Sequence, residues 1–139
     1  MRTDVKRRGC TISAEGNDLA DRFLESVFFT GNGRMGARGY PAYRPIRRPL
    51  DAGLFLAGFY DRISDSTELT DFVNLPTPIW YQIRLNGRIP AIPSHLSRAL
   101  DLRTGLLTFR YRLSIADDWV DVQEQRFFSL ARPSFLFQR

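Results

Sequence analysis

The chain has 139 residues, 43% hydrophobic, 13% aromatic and 25% charged, which fits one globular domain large enough to bury a core without help from disulfides or metals. Cys10 is the only cysteine, which excludes a disulfide framework and any multi-thiolate zinc site, and apolar stretches such as residues 53–59 fall far short of the roughly 18 residues of a membrane span. The net charge of +5 arises in residues 1–50, and Lys6 stands beside 19 arginines, a compositional bias rather than a phosphate-tracking surface, so nucleic acid is not the expected partner.

The charged amino terminus is followed by polar residues 11–17 rather than by the apolar core of a signal peptide, which points to a cytoplasmic protein. Residues 18–26 predict a short helix with Asp18 as N-cap and Leu19 and Phe23 spaced i, i+4 on one face. Residues 27–29 have strand character and lead into GNGRMG, in which Gly31, Gly33 and Gly36 spell G-x-G-x-x-G. A dinucleotide site needs a helix to start at those glycines so that its amides meet the pyrophosphate. Ala37, Arg38, Gly39, Tyr40 and Pro41 cannot continue as such a helix, and without a βαβ unit Asp51 has no ribose to bind, so no cofactor is expected. Residues 40–49, YPAYRPIRRP, interleave aromatic and basic side chains. They read either as a stacking surface or, preferably, as a stiff proline-set connection.

Asp61, Asp65, Glu68 and Asp71 gather carboxylates, but a solvated loop explains them better than paired catalytic acids. From residue 54 onward the apolar period drops to two. In residues 79–85, Ile79, Tyr81, Ile83 and Leu85 face one side, Asn86-Gly87 supplies a type I′ turn, and residues 88–92 return as a hairpin. His95 is the single histidine, more naturally solvent-facing than catalytic, and residues 95–102 form the other candidate helical turn. Residues 107–113 alternate again, Asp117-Asp118 marks a turn, and residues 119–130 form a long extended segment. After Pro133, residues 134–138 read as a last strand with an apolar open edge, as expected of a chain cut inside a larger domain. Antiparallel strands joined by short turns, each with one apolar face, give an all-β antiparallel sandwich, and the lack of helical connectors excludes a parallel αβα fold.

Five ordered segments then carry a resemblance. ESVFFTGNGRMGARG (25–39), AGFYD (57–61), VNLP (73–76), LDLRTGLL (100–107) and RFFSLARP (126–133) together resemble the amino-terminal part of glycoside hydrolase family 65, which includes maltose, trehalose and kojibiose phosphorylases. Arg34 stands where that pattern commonly has an aromatic, and Gln125 where it often has glutamate. The resemblance implies an amino-terminal β-super-sandwich, similar to galactose-mutarotase-like sandwiches, with residues 1–24 as lead-in and 25–139 as its first part. It implies a helical (α/α)6 barrel as partner domain in the complete enzyme. There a glutamate acts as general acid and, in the phosphorylases, inorganic phosphate attacks the anomeric carbon of an α-glucoside with inversion.

No catalytic, cofactor or metal residue is carried over to this chain, which is expected to be inactive alone; phosphate is a co-substrate only of the complete phosphorylase. The resemblance marks Glu25, Gly31, Asn32, Gly33, Gly36, Arg38, Gly39, Asp61, Asn74, Pro76, Asp101, Arg103 and Arg126 as a structural family motif. The expected function is a noncatalytic scaffold or interface domain, with a homodimer as one expectation for the complete protein. The competing reading is an autonomous carbohydrate-binding module, or less readily a nucleic-acid-binding one, that stacks ligands on Trp80, Tyr40 and Tyr43. Which α-glucoside is used, and whether by phosphorolysis or hydrolysis, stays open.

Overall fold

Alternation of period two builds the framework of the computed structural model, which describes residues 4–16, 22–43, 53–62, 70–76, 78–91, 93 and 95–139. In chain order the elements are β1 (Val5–Arg8), β2 (Thr11–Gly16), α1 (Arg22–Val27), β3 (Thr30–Gly31), β4 (Met35–Ala37), β5 (Leu54–Leu56), β6 (Tyr60–Arg62), β7 (Thr70–Phe72), β8 (Leu96–Asp101), β9 (Leu106–Ile115), β10 (Asp118–Phe128) and β11 (Leu136–Gln138). Six strands form the main sheet in the order β1-β2-β8-β9-β10-β11, all pairs antiparallel. β3-β4-β5 and β6-β7 form two smaller antiparallel sheets. The chain is an all-β antiparallel sandwich. Among the described residues no helix is long and apolar enough to cross a membrane.

Leu107, Phe109, Tyr111 and Leu113 of β9 point to the core, where they meet Leu96 and Leu100 of β8, Ala14 of β2, and Leu24 and Phe28 from α1 and its end. A second cluster joins Ala37 of β4, Leu54 of β5, Tyr40, Ala42 and Ile79 to Phe128 of β10. This seals the three-stranded sheet against one end of the main sheet. Burying an aliphatic or aromatic side chain contributes about 1.5–3 kcal/mol, so these two clusters are what hold the layers together. β1 and β2 lie in the stretch read from sequence as a lead-in and form one edge of the main sheet.

Several local expectations change. The helix buries Leu24 and Glu25, while Phe23 is 62% exposed, so the apolar face is one residue round from the expected one; Asp18 and Leu19 lie outside the described residues. Val27 belongs to that helix rather than to a strand. The candidate helical turn at residues 95–102 is β8, whose core face reads Leu96, Arg98, Leu100; the buried arginine in the middle hid the alternation. The turn before β10 is formed by Ala116 and Asp117, with Ala116 at φ 49°, and Asp118 already pairs with Ile115.

The hairpin around Asn86-Gly87 keeps its turn, with φ 49° and 77°, but shrinks to one bridge in which Leu85 and Arg88 exchange both backbone bonds at 2.9 Å. The next hydrogen-bonded pair would oppose Ile83 to Pro90, which has no N–H to give. The Pro90 carbonyl instead accepts from the Tyr43 hydroxyl at 2.8 Å. Residues 79–85 are therefore not a strand: Ile79 sits in a turn, residues 80–84 have no regular structure, and Ile79, Ile83 and Leu85 still pack on the two core clusters; Ile92 lies outside the described residues.

Candidate functional site

Alternation along β10 turns Val120, Val122, Glu124, Arg126 and Phe128 inward, which puts a carboxylate and a guanidinium on an apolar face. Glu124 is 3% exposed and Arg126 2%. Buried charges persist only where donors and acceptors are supplied. The Glu124 carboxylate accepts from the Ala42 N–H at 2.8 Å on Oε2, and on Oε1 from the Tyr43 N–H at 3.3 Å and from the Tyr111 hydroxyl. The Tyr111 hydroxyl lies 3.4 Å from that of Tyr81. Residues 42 and 43 follow β4 and belong to no strand, so β10 satisfies their amides with a side chain instead of a ladder.

Arg126 donates from Nη2 to the Tyr40 carbonyl at 2.6 Å, and its guanidinium lies 5.4 Å from the Tyr40 ring centroid and 5.6 Å from that of Phe109. Its Nε and Nη1 meet no hydrogen-bond acceptor among the described residues. Burial pulls the Arg126 pKa down, opposed by Tyr40 and by the negative charge of Glu124. Burial first, then the neighbouring Glu124, pushes Tyr111 well above the ordinary phenol range; burial likewise raises Tyr81 and Tyr43.

The glycine-rich motif forms a second junction. Gly31 and Gly36 face each other across β3 and β4, with Asn32, Gly33 (φ 83°) and Arg34 making the turn, so the stretch opens a hairpin and not a phosphate-binding helix. Asn32 uses its whole amide. Oδ1 accepts from the Arg34 and Met35 N–H groups at 3.0 Å each, and Nδ2 donates to the carbonyls of Ser129 at 2.7 Å and Pro133 at 3.0 Å. Thus GNGRMG and RFFSLARP, almost a hundred residues apart, meet through one side chain. The Gly39 N–H donates to the Glu25 carbonyl at 2.8 Å, and a Cβ at Gly39 would fall 2.4 Å from Phe28 Cβ. Only glycine lets this strand end lie on α1. Arg38 donates its N–H to the Gly53 carbonyl at 2.9 Å.

The other motif residues sit elsewhere. Asp61 of β6 is exposed and opposes Asp71 of β7; Asp65 and Glu68 lie outside the described residues. Asn74 is half-buried between Val73, whose N–H reaches the Phe59 carbonyl, and Leu75, which bridges Leu54, and Pro76 is exposed. Asp101 and Arg103 shape the β8–β9 turn. There Asp101 Oδ1 accepts from the Arg103 N–H at 2.8 Å, a bond that lowers the Asp101 pKa, and the Leu102 N–H reaches the Cys10 carbonyl beside the β1–β2 turn. His95 is exposed.

Tyr40 and Tyr43 are 1% and 5% exposed, which corrects their reading as stacking rings: they are core, and they anchor rather than recognise. Residues 44–49 lie outside the described residues. Glu124, Tyr111 and Tyr81 were not singled out from sequence. The available signal was a carboxylate in phase with Val120, Val122 and Phe128. Both oxygens of Glu124 are engaged by the chain itself, so what this arrangement does chemically is fix the 40–43 segment and the β3–β4 hairpin against β10.

Residues 14–139 match the family described as glycosyl hydrolase family 65, N-terminal domain. Among curated proteins the chain is similar to trehalose 6-phosphate phosphorylase of Lactococcus lactis subsp. lactis (strain IL1403), 28% identical over 101 residues, 66% of this chain. The match spans 13% of that relative's length.

Proposed function

Because the chain belongs to the glycosyl hydrolase family 65 N-terminal domain family, we propose that it serves as a noncatalytic scaffold and interface domain of an α-glucoside phosphorylase or hydrolase in carbohydrate metabolism. The observation that carries this reading is the use of the motif residues. Asn32, Gly39 and Arg126 are spent on joining backbone segments, and the buried Glu124 has both oxygens taken by protein donors. A general acid must instead hold a proton within reach of a substrate.

In this reading the partner is the family's catalytic barrel. There a glutamate protonates the leaving group and, in a phosphorylase, phosphate attacks the anomeric carbon. The domain supplies a rigid surface for that barrel, in a cytoplasmic enzyme that acts as a homodimer. The similarity to trehalose 6-phosphate phosphorylase favours phosphorolysis of an α-linked glucose disaccharide or its phosphate over hydrolysis.

The test is phosphate-dependent release of glucose 1-phosphate from a panel of α-linked disaccharides and their 6-phosphates. It compares the 139-residue chain alone with the same chain joined to a family 65 catalytic barrel. Turnover only by the joined protein is the expected result; turnover by the chain alone overturns the scaffold reading.

A further inference from the structure

The face of the main sheet opposite the core carries a groove of about 650 Å³ lined by His95, Ser97, Arg110, Arg112, Asp121 and Gln123 together with Tyr111 and Val122, and Trp119 stands just beyond this lining on the same strand face as Asp121 and Gln123. Cross-strand register aligns these side chains: Ser97 with Arg110, Arg110 with Gln123, Arg112 with Asp121, and Trp119 with Ser114 at the open end of the row. Trp119 is 60% exposed. One face of its indole is covered by the Arg112 guanidinium, 4.1 Å from the ring centroid, and Asp121 holds that guanidinium with two bonds of 2.7 and 2.9 Å. The Asn86 amide donates to Asp118 at 2.6 Å and ties the adjoining turn in place. Further along the row, Arg110 Nε donates to Gln123 Oε1 at 2.9 Å.

We propose that this groove is a saccharide-binding site, with Trp119 stacking against the C–H face of a pyranose ring and the Arg112–Asp121 and Arg110–Gln123 pairs bonding its hydroxyl groups. An indole backed by a fixed cation is a flat apolar platform that loses little freedom on binding. Donors and acceptors alternate along the row, as vicinal hydroxyls require, whereas an apolar peptide would strand them. Charge complementarity points the same way. The Asp121 carboxylate offsets Arg112 beside Trp119 and leaves Arg110, bonded to the neutral Gln123, as the one uncompensated cation among the described residues of the lining, too little charge to track a phosphate backbone, so a neutral polyol fits better than a nucleic acid. From Trp119 to Gln123 the strand advances about 13 Å, room for an oligosaccharide rather than a single ring. The site does not depend on the scaffold role and uses none of the rings discarded above.

The full chain is titrated with maltose, maltotetraose and trehalose, following the side-chain N–H signals of Trp119 and Trp80 by NMR. Saturable movement of the Trp119 signal is expected. Trp119→Ala weakens binding about tenfold, with the amide spectrum showing that the fold is kept, and Trp119→Phe retains binding because a ring remains. No saturable change with any of the three sugars overturns the proposal. So does binding that Trp119→Ala leaves intact, or inorganic phosphate that competes with the sugar, which would mark an anion site.

Discussion

Replacing Glu124 by glutamine probes the buried junction at its centre. The carboxylate accepts from two backbone N–H groups and from the Tyr111 hydroxyl. The amide has the same shape but keeps one acceptor oxygen and turns an NH₂ group toward a donor. Hydrogen bonds to a charged group contribute about 1.5–3 kcal/mol each and neutral ones about 1 kcal/mol, so losing one bond and weakening the other two costs at least about 2.5 kcal/mol. The change at Arg126 has the same sign, since its buried guanidinium loses the neighbouring negative charge. A domain of this size shifts by about 3–4 °C per kcal/mol, which lowers Tm by about 10 °C.

Urea unfolding measures the same loss as a drop in midpoint at unchanged slope. Tyr111→Phe alone removes one charge-assisted bond, about 1.5–3 kcal/mol, and the double variant loses less than the sum by about 1 kcal/mol or more because the two groups share that bond. A Glu124→Gln variant within about 1 kcal/mol of the parent, or strict additivity with Tyr111→Phe, refutes the claim that this carboxylate holds residues 40–43.

Asn32→Ala removes four hydrogen bonds, two donated by Nδ2 and two accepted by Oδ1, from a part-buried junction and lowers stability by about 2–3 kcal/mol, read as the urea midpoint; Asn32→Asp does no better, because it sets a carboxylate against the Ser129 and Pro133 carbonyls. Faster limited proteolysis within residues 129–135 accompanies both variants, and an unchanged cleavage rate refutes the clasp. The raised pKa values of Tyr111, Tyr81 and Tyr43 make stability depend on alkaline pH. Below about pH 10 tyrosine is neutral in both states; above it the unfolded chain ionises first, so stability falls as pH rises toward the folded values. Denaturation midpoints measured against pH show this decline, and Tyr111→Phe flattens it.

Legibility followed the range of the interaction. β9, β10 and their hairpin could be read directly, because Leu107, Phe109, Tyr111 and Leu113 alternate without interruption and a half-buried strand needs no other information. The Asn86-Gly87 turn was equally local, but its extension was not, because the residue that stops the ladder, Pro90, matters only through the register that the turn imposes. β8 was misread because its central inward residue is Arg98, and a charge at a core position looks like a break in the pattern until the partner strands are known. Of the candidate site, Asn32, Gly39 and Arg126 were visible as motif letters, whereas Glu124, Tyr111 and Tyr81 and the geometry of the whole were not. Nothing in GNGRMG says that its asparagine will find the carbonyls of residues 129 and 133, and nothing in the run VDVQEQRF says that Glu124 will meet the amides of residues 42 and 43.

The motif makes physical sense as a junction. A hairpin with two residues in β3 and three in β4 is too short to persist alone. Gly31 and Gly36, which pack no side chain, weaken it further while leaving a floor on which the Phe29 ring lies; a Cβ at Gly36 would come within 2.5 Å of that ring. Its order is therefore imposed from outside: by Asn32 on the loop after β10, by Gly39 on α1, and by Arg126 through the Tyr40 carbonyl. The Asn32 and Arg126 ties cross 86 to 101 residues of sequence and end on β10 or the loop after it, so the hairpin is complete only when the main sheet is in place. Substitution of Asn32, Gly39 or Arg126 is therefore expected to loosen the hairpin, because each closes a contact that no neighbouring residue makes.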